Sequence, residues 1–236
     1  PDDPMAGVPE RVGPGRLVRE VGKGGMGTVY LAERDDGTFA QRAAVKLVRP
    51  GLADDLVARF RAERHLLARL EHPGIARVLD GGTAPDGRPY LALEYVDGEP
   101  ITAFADRRQL SVNERLALFQ DVCDAVAYAH RRLVVHRDLK PSNVLVAQGE
   151  DGVRQVKLLD FGIAKLLDDD ADFTIALTAP ERRILTPAYA APEQVRGEVD
   201  IGPGADIYGL GATCYHMVTG RVPFSGKNPS QVMHKH

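Results

Sequence analysis

Residues 136–143 read His136-Arg137-Asp138-Leu139-Lys140-Pro141-Ser142-Asn143, and residues 160–162, after an apolar strand-like run, read Asp160-Phe161-Gly162. An aspartate or asparagine that stands alone in a loop is usually a turn former. The joint pattern of the two clusters argues against this reading for all of their residues at once. The clusters therefore mark the region where we expect chemistry.

The composition is that of an ordinary globular protein. The chain has 236 residues, of which 44% are apolar and 27% are charged, and its formal net charge is −3. This length allows a sizeable core, and the small net charge gives no broad attraction to nucleic acid or to an anionic membrane. Cys123 and Cys214 lie far apart without metal-ligand spacing, so we expect no disulfide framework and a reducing cytosol.

The sequence also bears on location. No apolar run is long enough to span a bilayer, and no signal peptide opens the chain. Because Met5 is internal and Pro1 cannot be an initiator, we expect an excised piece of a longer protein. The expected location is cytoplasmic, and the alternative is the cytoplasmic domain of a longer, membrane-anchored chain.

The chain changes character near Gly98, which predicts two subdomains joined by a short connection. Asp35-Asp36-Gly37 and Asp86-Gly87 predict hairpin turns in the first subdomain. Short runs of β-forming residues predict its strands at 16–21, 28–33, 43–48, 76–80 and 90–95.

The second subdomain has a helical pattern. Ser111 and Glu114 predict a capping box at the start of an amphipathic helix. A further helix is predicted over 204–219, with Gly220 as its C-terminal cap. The predicted apolar face of the first of these helices consists of Leu116, Phe119, Cys123, Val126 and His130.

The first subdomain contains a glycine-rich turn, Gly22-Lys23-Gly24-Gly25-Met26-Gly27-Thr28-Val29. Glycines let backbone amides approach phosphate oxygens, although such a turn alone is more often a plain hairpin. Lys46 lies within an apolar strand, where an unpaired ammonium is costly to bury, so it needs an anion. Glu63 either pairs with Lys46 or reaches solvent; it interrupts a helical apolar stripe made of Leu56, Phe60, Leu67 and Leu70.

Together these motifs resemble the catalytic domain of bacterial eukaryotic-type (Hanks-type) serine/threonine protein kinases. The resemblance runs from about Gly13 to Phe224 and includes Leu185-Thr186-Pro187-Ala188-Tyr189 and Ala191-Pro192-Glu193-Gln194. It implies an α+β, two-lobed protein-kinase-like fold, with a small antiparallel β-sheet N-lobe that carries one key helix and a mainly helical C-lobe.

The resemblance also divides the chain. Residues 1–12 form an N-terminal extension, residues 13–96 the N-lobe, and residues 97–236 a C-lobe. We expect this C-lobe to be incomplete, with the later helices and the arginine partner of Glu193 missing. We expect a lower stability for this reason.

The resemblance implies a catalytic role for four residues. Asp138 would accept the proton of the acceptor hydroxyl, and Lys140 would offset charge near the γ-phosphate. Lys46 would hold the α- and β-phosphates, and Glu63 would orient it. His136 is interpreted as a hydrogen-bonded core histidine rather than a proton shuttle.

The same resemblance implies ATP and Mg²⁺ as cofactors, with Mn²⁺ as a substitute. Asn143 and Asp160 would ligate the metal through oxygen atoms, the ligands that a hard cation requires. Asp206 would brace the catalytic loop. The residues implied in ATP binding are Val21, Gly22, Gly24, Gly27, Val29, Ala44, Lys46, Leu93, Glu94, Val96 and Leu145.

The activation segment departs from the family pattern. Arg137 would pair with a phosphorylated activation loop through charge-assisted hydrogen bonds. Residues 179–185, where a phosphorylation site is often found, contain no hydroxyl side chain. The nearest candidates are Thr174 and Thr178.

We therefore expect a serine/threonine protein kinase that transfers the γ-phosphoryl group of ATP to proteins, including itself. The expected partners are protein substrates and a second copy for trans-autophosphorylation; nucleic acid and, within this segment, membrane are not expected. One alternative is a pseudokinase scaffold or ATP-binding module, although Lys46, Asp138, Asn143 and Asp160 are intact. A small-molecule kinase is the other alternative, against which Lys140 and the activation segment argue.

Overall fold

The structure is a computed structural model that describes residues 5, 7–24, 27–34, 41–48, 67–149, 152–161, 186–198 and 200–236. The chain divides into two compact units. The first unit comprises Pro1–Glu71 and Ala76–Val96, and the second comprises His72–Ile75 and Asp97–His236. Three predicted features lie outside the described residues: the turn at 35–37, Glu63 with Leu56 and Phe60 of its stripe, and the candidates Thr174 and Thr178. Leu67 and Leu70 of that stripe are described, and both are buried.

The first unit contains one antiparallel sheet with the strand order β1-β2-β3-β4-β6-β5. Its strands are β1 (Arg11–Val12), β2 (Gly15–Gly24), β3 (Gly27–Arg34), β4 (Arg42–Val48), β5 (Val78–Thr83) and β6 (Pro89–Glu94). Four of the predicted strands are confirmed. The strand predicted at 76–80 begins two residues later and extends to Thr83.

The two faces of this sheet differ. Successive residues of a strand point to opposite faces, so Val45 and Leu47 lie on one face of β4, and Ala44 and Lys46 lie on the other. The first face is the core of the unit. Its buried residues are Val12, Leu17, Tyr30, Ala32, Val45, Leu47, Ala84, Tyr90 and Ala92.

The second unit combines a three-stranded antiparallel sheet with helices. The strands are β7 (Gly98–Pro100), β8 (Val144–Gln148) and β9 (Arg154–Leu158), in the order β7-β8-β9. The helices are α1 (Ile101–Arg107), α2 (Val112–His130), α3 (Pro192–Arg196), α4 (Pro203–Thr219) and α5 (Pro229–Lys235). Short 3₁₀ turns occupy Pro141–Asn143 and Pro187–Tyr189.

Both predicted helices of the second unit are confirmed. The capping box of α2 is present: Glu114 Oε2 accepts from the Ser111 N–H at 2.8 Å, and Ser111 Oγ accepts from the Glu114 N–H at 3.4 Å. Helix α4 ends at Gly220, whose φ of +72° is left-handed and whose N–H donates to the His216 carbonyl at 2.9 Å.

The predicted apolar face of α2 was wrong in its register. Leu116 is 42% exposed, and Cys123 is only partly buried. The helix packs along a stripe shifted around its axis, and of the predicted set only Val126 is fully buried. The buried residues are Leu118, Val122, Ala125, Val126 and Ala129.

Candidate active site

Lys46 lies on the face of the first unit's sheet that is opposite the core. It pairs with Val29 of β3 and Leu91 of β6. Directly paired residues point to the same side of a sheet. Val29 and Leu91 therefore form an apolar surface beside the aliphatic part of the Lys46 side chain. Lys46 is only 7% exposed, which makes it a buried cation in an apolar strand, as its sequence context predicted.

The other residues of the first unit that were predicted to bind the nucleotide lie on the same sheet or, for Val96, just after it. Ala44 pairs with Leu31 and Leu93 and therefore shares the face of Lys46. Glu94 ends β6, and its Oε2 accepts from the Arg77 N–H at 3.2 Å. Val96 is half-buried after β6, whereas Val21 on β2 is 37% exposed.

The glycines of the β2–β3 turn divide into two kinds. A Cβ at Gly22 or Gly24 would meet open space. A Cβ at Gly27 would overlap the Leu47 carbonyl oxygen, and its φ of +156° is unfavourable for other residues. Gly27 is therefore required by the fold, whereas Gly22 and Gly24 leave room for a group that approaches the backbone.

Asp138 is the centre of a polar cluster in the second unit. Its Oδ2 lies 2.7 Å from Lys140 Nζ and accepts from Asn143 Nδ2 at 3.1 Å. Thr186 Oγ1 donates to Oδ1 of the same carboxylate at 3.3 Å and accepts from Lys140 Nζ at 2.7 Å. The carboxylate is thus oriented by three side chains.

The loop before Asp138 is anchored by Asp206, which is 1% exposed. Its Oδ2 accepts from the His136 N–H at 2.8 Å, and its Oδ1 accepts from the Arg137 N–H at 2.7 Å. His130 Nε2 lies 2.7 Å from Oδ2 and donates the third bond. A buried carboxylate needs such partners because the loss of its hydration is costly.

His136 is fully buried and linked to both motifs. Its Nδ1 accepts from the Asp138 N–H at 3.2 Å, so the ring proton is assigned to Nε2, which donates to the Leu159 carbonyl at 2.7 Å. Its ring lies 4.7 Å, centroid to centroid, from the Phe161 ring. These contacts confirm the interpretation of His136 as a hydrogen-bonded core residue.

Two non-glycine residues of these motifs have left-handed backbones. Arg137 has a φ of +68° and Asp160 a φ of +58°. Such conformations are costly and persist where the surrounding structure fixes them, often at functional sites. For Arg137 the fixing contacts include Gln194 Nε2, which donates to its carbonyl at 2.7 Å.

Asn143 and Asp160 are brought to one end of a strand pair. Asn143 directly precedes β8, whose first residue, Val144, pairs with Leu158 of β9, and Asp160 follows two residues later. The Leu159 N–H donates to the Asn143 carbonyl at 2.8 Å. Asn143 Nδ2 donates to Asp138, so its Oδ1 is the side-chain atom available to a cation.

These donors fit one hard cation such as Mg²⁺, which commonly binds one or two protein oxygens together with substrate phosphates. Among the described residues, no cluster of three or more His, Cys, Asp or Glu side chains could hold a metal ion alone. Asn143 and Asp160 could therefore hold a cation only if other ligands, such as phosphate oxygens of a bound substrate, complete its coordination. Leu145, the other nucleotide residue predicted in this unit, is half-buried on β8.

The segment after Thr186 is attached to α4. The turn Pro187–Tyr189 places the Tyr189 hydroxyl 2.7 Å from His216 Nδ1. Burial raises the pKa of Tyr189, which keeps the phenol protonated.

Sequence reasoning missed three partners of the site. His130 was assigned to an apolar face, and His216 and Gln194 were given no contact. Their bonds reach Asp206, Tyr189 and Arg137, which are distant in sequence. The single local signal for these contacts was His130, a polar residue in an apolar helical pattern. Glu63 lies outside the described residues.

Comparison with known proteins places these features in a family context. Residues 16–236 match the protein kinase domain family. Serine/threonine-protein kinase Pkn1 of Myxococcus xanthus is 40% identical over 225 residues, covering 94% of this chain and 31% of that protein. Serine/threonine-protein kinase PknF of Mycobacterium tuberculosis is 37% identical, covering 93% of this chain and 46% of that protein.

A solved structure gives the same result. The Mycobacterium tuberculosis PknI kinase domain has 32% sequence identity and a TM-score of 0.68, covering 92% of this chain and 78% of that chain. The chain spans less than half the length of the two curated relatives above. In its described part, no helix has the length and apolar character needed to cross a membrane.

Proposed function

Because the chain belongs to the protein kinase family, we propose that it is a serine/threonine protein kinase that phosphorylates proteins, itself included. The observation that carries the proposal is the oriented Asp138 carboxylate. It lies 2.7 Å from Lys140 Nζ and 3.3 Å from Thr186 Oγ1, in a loop that Asp206 anchors. This arrangement suits a group that positions a hydroxyl and receives its proton.

In the proposed reaction, the serine or threonine oxygen forms a bond to the γ-phosphorus of ATP. The bond from that phosphorus to the β,γ-bridging oxygen breaks, and ADP leaves. The hydroxyl proton passes to Asp138. The Lys140 ammonium, held beside this carboxylate, offsets negative charge on the transferred group.

Protein kinases use ATP and a divalent metal, and we assign both to the predicted residues. Asn143 Oδ1 and Asp160 would hold Mg²⁺, with Mn²⁺ as a substitute, and the bound metal would neutralise phosphate charge. Lys46 would bind the α- and β-phosphates, with Glu63 as its partner. The strand face that carries Val29, Ala44 and Leu93 would receive the adenine ring.

The proposal extends to organisation and regulation. Residues 13–96 would be the N-lobe and residues 97–236 the C-lobe of a cytoplasmic kinase domain, after an extension at 1–12. Two copies would phosphorylate each other at Thr174 or Thr178. The pseudokinase alternative is not favoured, because the polar residues needed for transfer are retained.

The test is transfer from γ-labelled ATP to the chain itself and to a generic protein acceptor, followed by phosphoamino-acid analysis. We expect phosphoserine or phosphothreonine, and a loss of about 10²-fold or more in rate for Asp138→Asn, the usual contribution of a general base. Asp106→Asn, which changes an aspartate on α1, is the matched control and should retain the rate. Equal rates for Asp138→Asn and the unmodified chain would refute the role of Asp138, and absence of transfer would refute the function.

A further inference from the structure

The C-terminal part of the second unit has an unusual charge distribution. Residues 207–236 contain no aspartate or glutamate, although the chain as a whole has a net charge of −3. The cationic residues of this segment are Arg221, Lys227 and Lys235, and its titratable histidines are His216, His234 and His236. The segment is therefore a local positive region in an acidic protein.

This positive region adjoins the turn that follows Thr186. Thr186 contacts the Asp138 carboxylate, and Tyr189 lies three residues later, hence within about 11 Å along the chain. Helices α4 and α5 both contact the turn Pro187–Tyr189. His216, at the end of α4, is bonded to Tyr189 at 2.7 Å. The two helices that flank Arg221 and Lys227 thus both contact the turn that begins one residue after Thr186, the residue bonded to Asp138.

Several of these groups face solvent. Arg221, Lys227 and His234 are exposed; we call these three residues the basic rim. Lys235 Nζ instead donates to the Ser225 carbonyl at 2.5 Å, and His236 Nδ1 bonds the Tyr208 hydroxyl at 2.6 Å. Lys235 and His236 are therefore engaged within the unit.

Within the described residues, no carboxylate pairs with Arg221 or Lys227. The acidic side chain nearest in the chain, Asp206, is bonded to His130, His136 and Arg137. Glu198 is bonded to Arg196 at 2.7 Å, and Glu193 is half-buried beside α4, where its charge together with burial raises the pKa of Tyr208. The charges of Arg221 and Lys227 are therefore available to an external anionic group.

From this placement we propose that the basic rim selects acidic protein substrates, in which aspartate or glutamate lies within a few residues of the phosphorylated serine or threonine. The inference rests on the proposed kinase function and specifies its substrate class. An exposed charge pair changes an equilibrium by about 2- to 5-fold, because solvent screens it. Two or three such pairs predict a preference of roughly tenfold.

The experiment uses three peptides of equal length with one threonine acceptor, flanked by glutamate, glutamine or lysine. For the unmodified chain, kcat/KM for the glutamate peptide should exceed that for the lysine peptide by about tenfold or more. The double variant Arg221→Glu, Lys227→Glu should bring this ratio to about one or below. The charge-matched control Arg108→Glu, Arg154→Glu changes exposed residues elsewhere in the second unit and should keep the ratio.

A second measurement does not depend on a variant. Raising the ionic strength from about 0.01 M to about 0.15 M shortens the screening length from about 30 Å to about 8 Å. The preference of the unmodified chain for the glutamate peptide should therefore decrease, while the rate with the glutamine peptide changes less.

The outcomes separate the two proposals. Transfer to all three peptides with a ratio near one, or with a preference for lysine, would overturn the role of the basic rim and leave the kinase proposal standing. A preference for acidic peptides that survives both the double variant and added salt would also overturn it. Absence of transfer to any peptide or to the chain itself would instead count against the kinase function.

Discussion

Asp206 is a buried carboxylate that makes no contact with the proposed reacting atoms and yet fixes the loop that carries them. It accepts from the N–H groups of His136 and Arg137 and from His130 Nε2. Transfer of a charge out of water is costly unless hydrogen bonds replace the lost hydration. Two of the three bonds that offset this cost also fix the two residues before Asp138.

We predict that Asp206→Asn lowers the free energy of unfolding by about 3 kcal/mol, because an amide replaces one acceptor oxygen with a donor that faces at least one N–H group in a buried site. Urea denaturation measures this change. Asp106→Asn, whose carboxylate is 61% exposed and pairs with Arg115, should lose about 0.5 kcal/mol or less. Equal losses in the two variants would contradict the anchoring role of Asp206.

At the scale of elements, the glycines of the β2–β3 turn differ in whether the fold leaves room for a side chain. Gly24 pairs with Gly27 across the turn. A side chain at Gly27 would overlap the Leu47 carbonyl oxygen, whereas one at Gly24 would meet open space. A substitution at Gly24 should therefore leave the sheet undisturbed, whereas one at Gly27 should not.

We predict that Gly27→Ala lowers the free energy of unfolding by about 2 to 4 kcal/mol, because strain and overlap add. Gly24→Ala should stay within about 0.5 kcal/mol of the unmodified chain and should raise the KM for ATP. Chemical denaturation and initial-rate kinetics measure the two effects. A Gly24→Ala variant with unchanged KM would show that no phosphate approaches this backbone.

The elements that the sequence predicted well are those with local determinants. The capping box of α2 and the glycine cap of α4 depend on residues within one or two turns, and both are present. The buried face of α2 was predicted in the wrong register, because the neighbours that cover a helix decide which residues are buried. Strands β1 and β7 have two and three residues and are too short to show a pattern.

For the candidate site, the residue types could be predicted but most of their partners could not. Asp138, Asn143 and Asp160 stand in an ordered motif, and Lys46 is conspicuous in an apolar strand. The bond from His130 to Asp206 joins residues 76 positions apart, so only the tertiary fold brings them together. A histidine in an apolar helical pattern indicates that its ring needs a hydrogen-bond partner, but it does not identify that partner.

At the scale of the whole molecule, each of the two units carries residues that are proposed to bind MgATP. Lys46 and the glycine-rich turn lie in the first unit, and Asp138, Asn143 and Asp160 lie in the second. A ligand that binds only the folded chain raises its stability by mass action. Binding of MgATP should therefore be visible as stabilisation, independently of any phosphoryl transfer.

We predict that MgATP at ten times its Kd raises the free energy of unfolding by about 1.4 kcal/mol. Lys46→Met keeps an apolar side chain on β4 but removes the ammonium. This variant should therefore fold, and MgATP should raise its free energy of unfolding by much less. Lys227→Met, which changes an exposed lysine of the second unit that has no assigned role in MgATP binding, should be stabilised by MgATP as much as the unmodified chain. Denaturation with and without MgATP measures this stabilisation for each protein. Equal stabilisation of Lys46→Met and the unmodified chain would exclude Lys46 as a phosphate ligand, because no other change in that variant could restore the lost interaction.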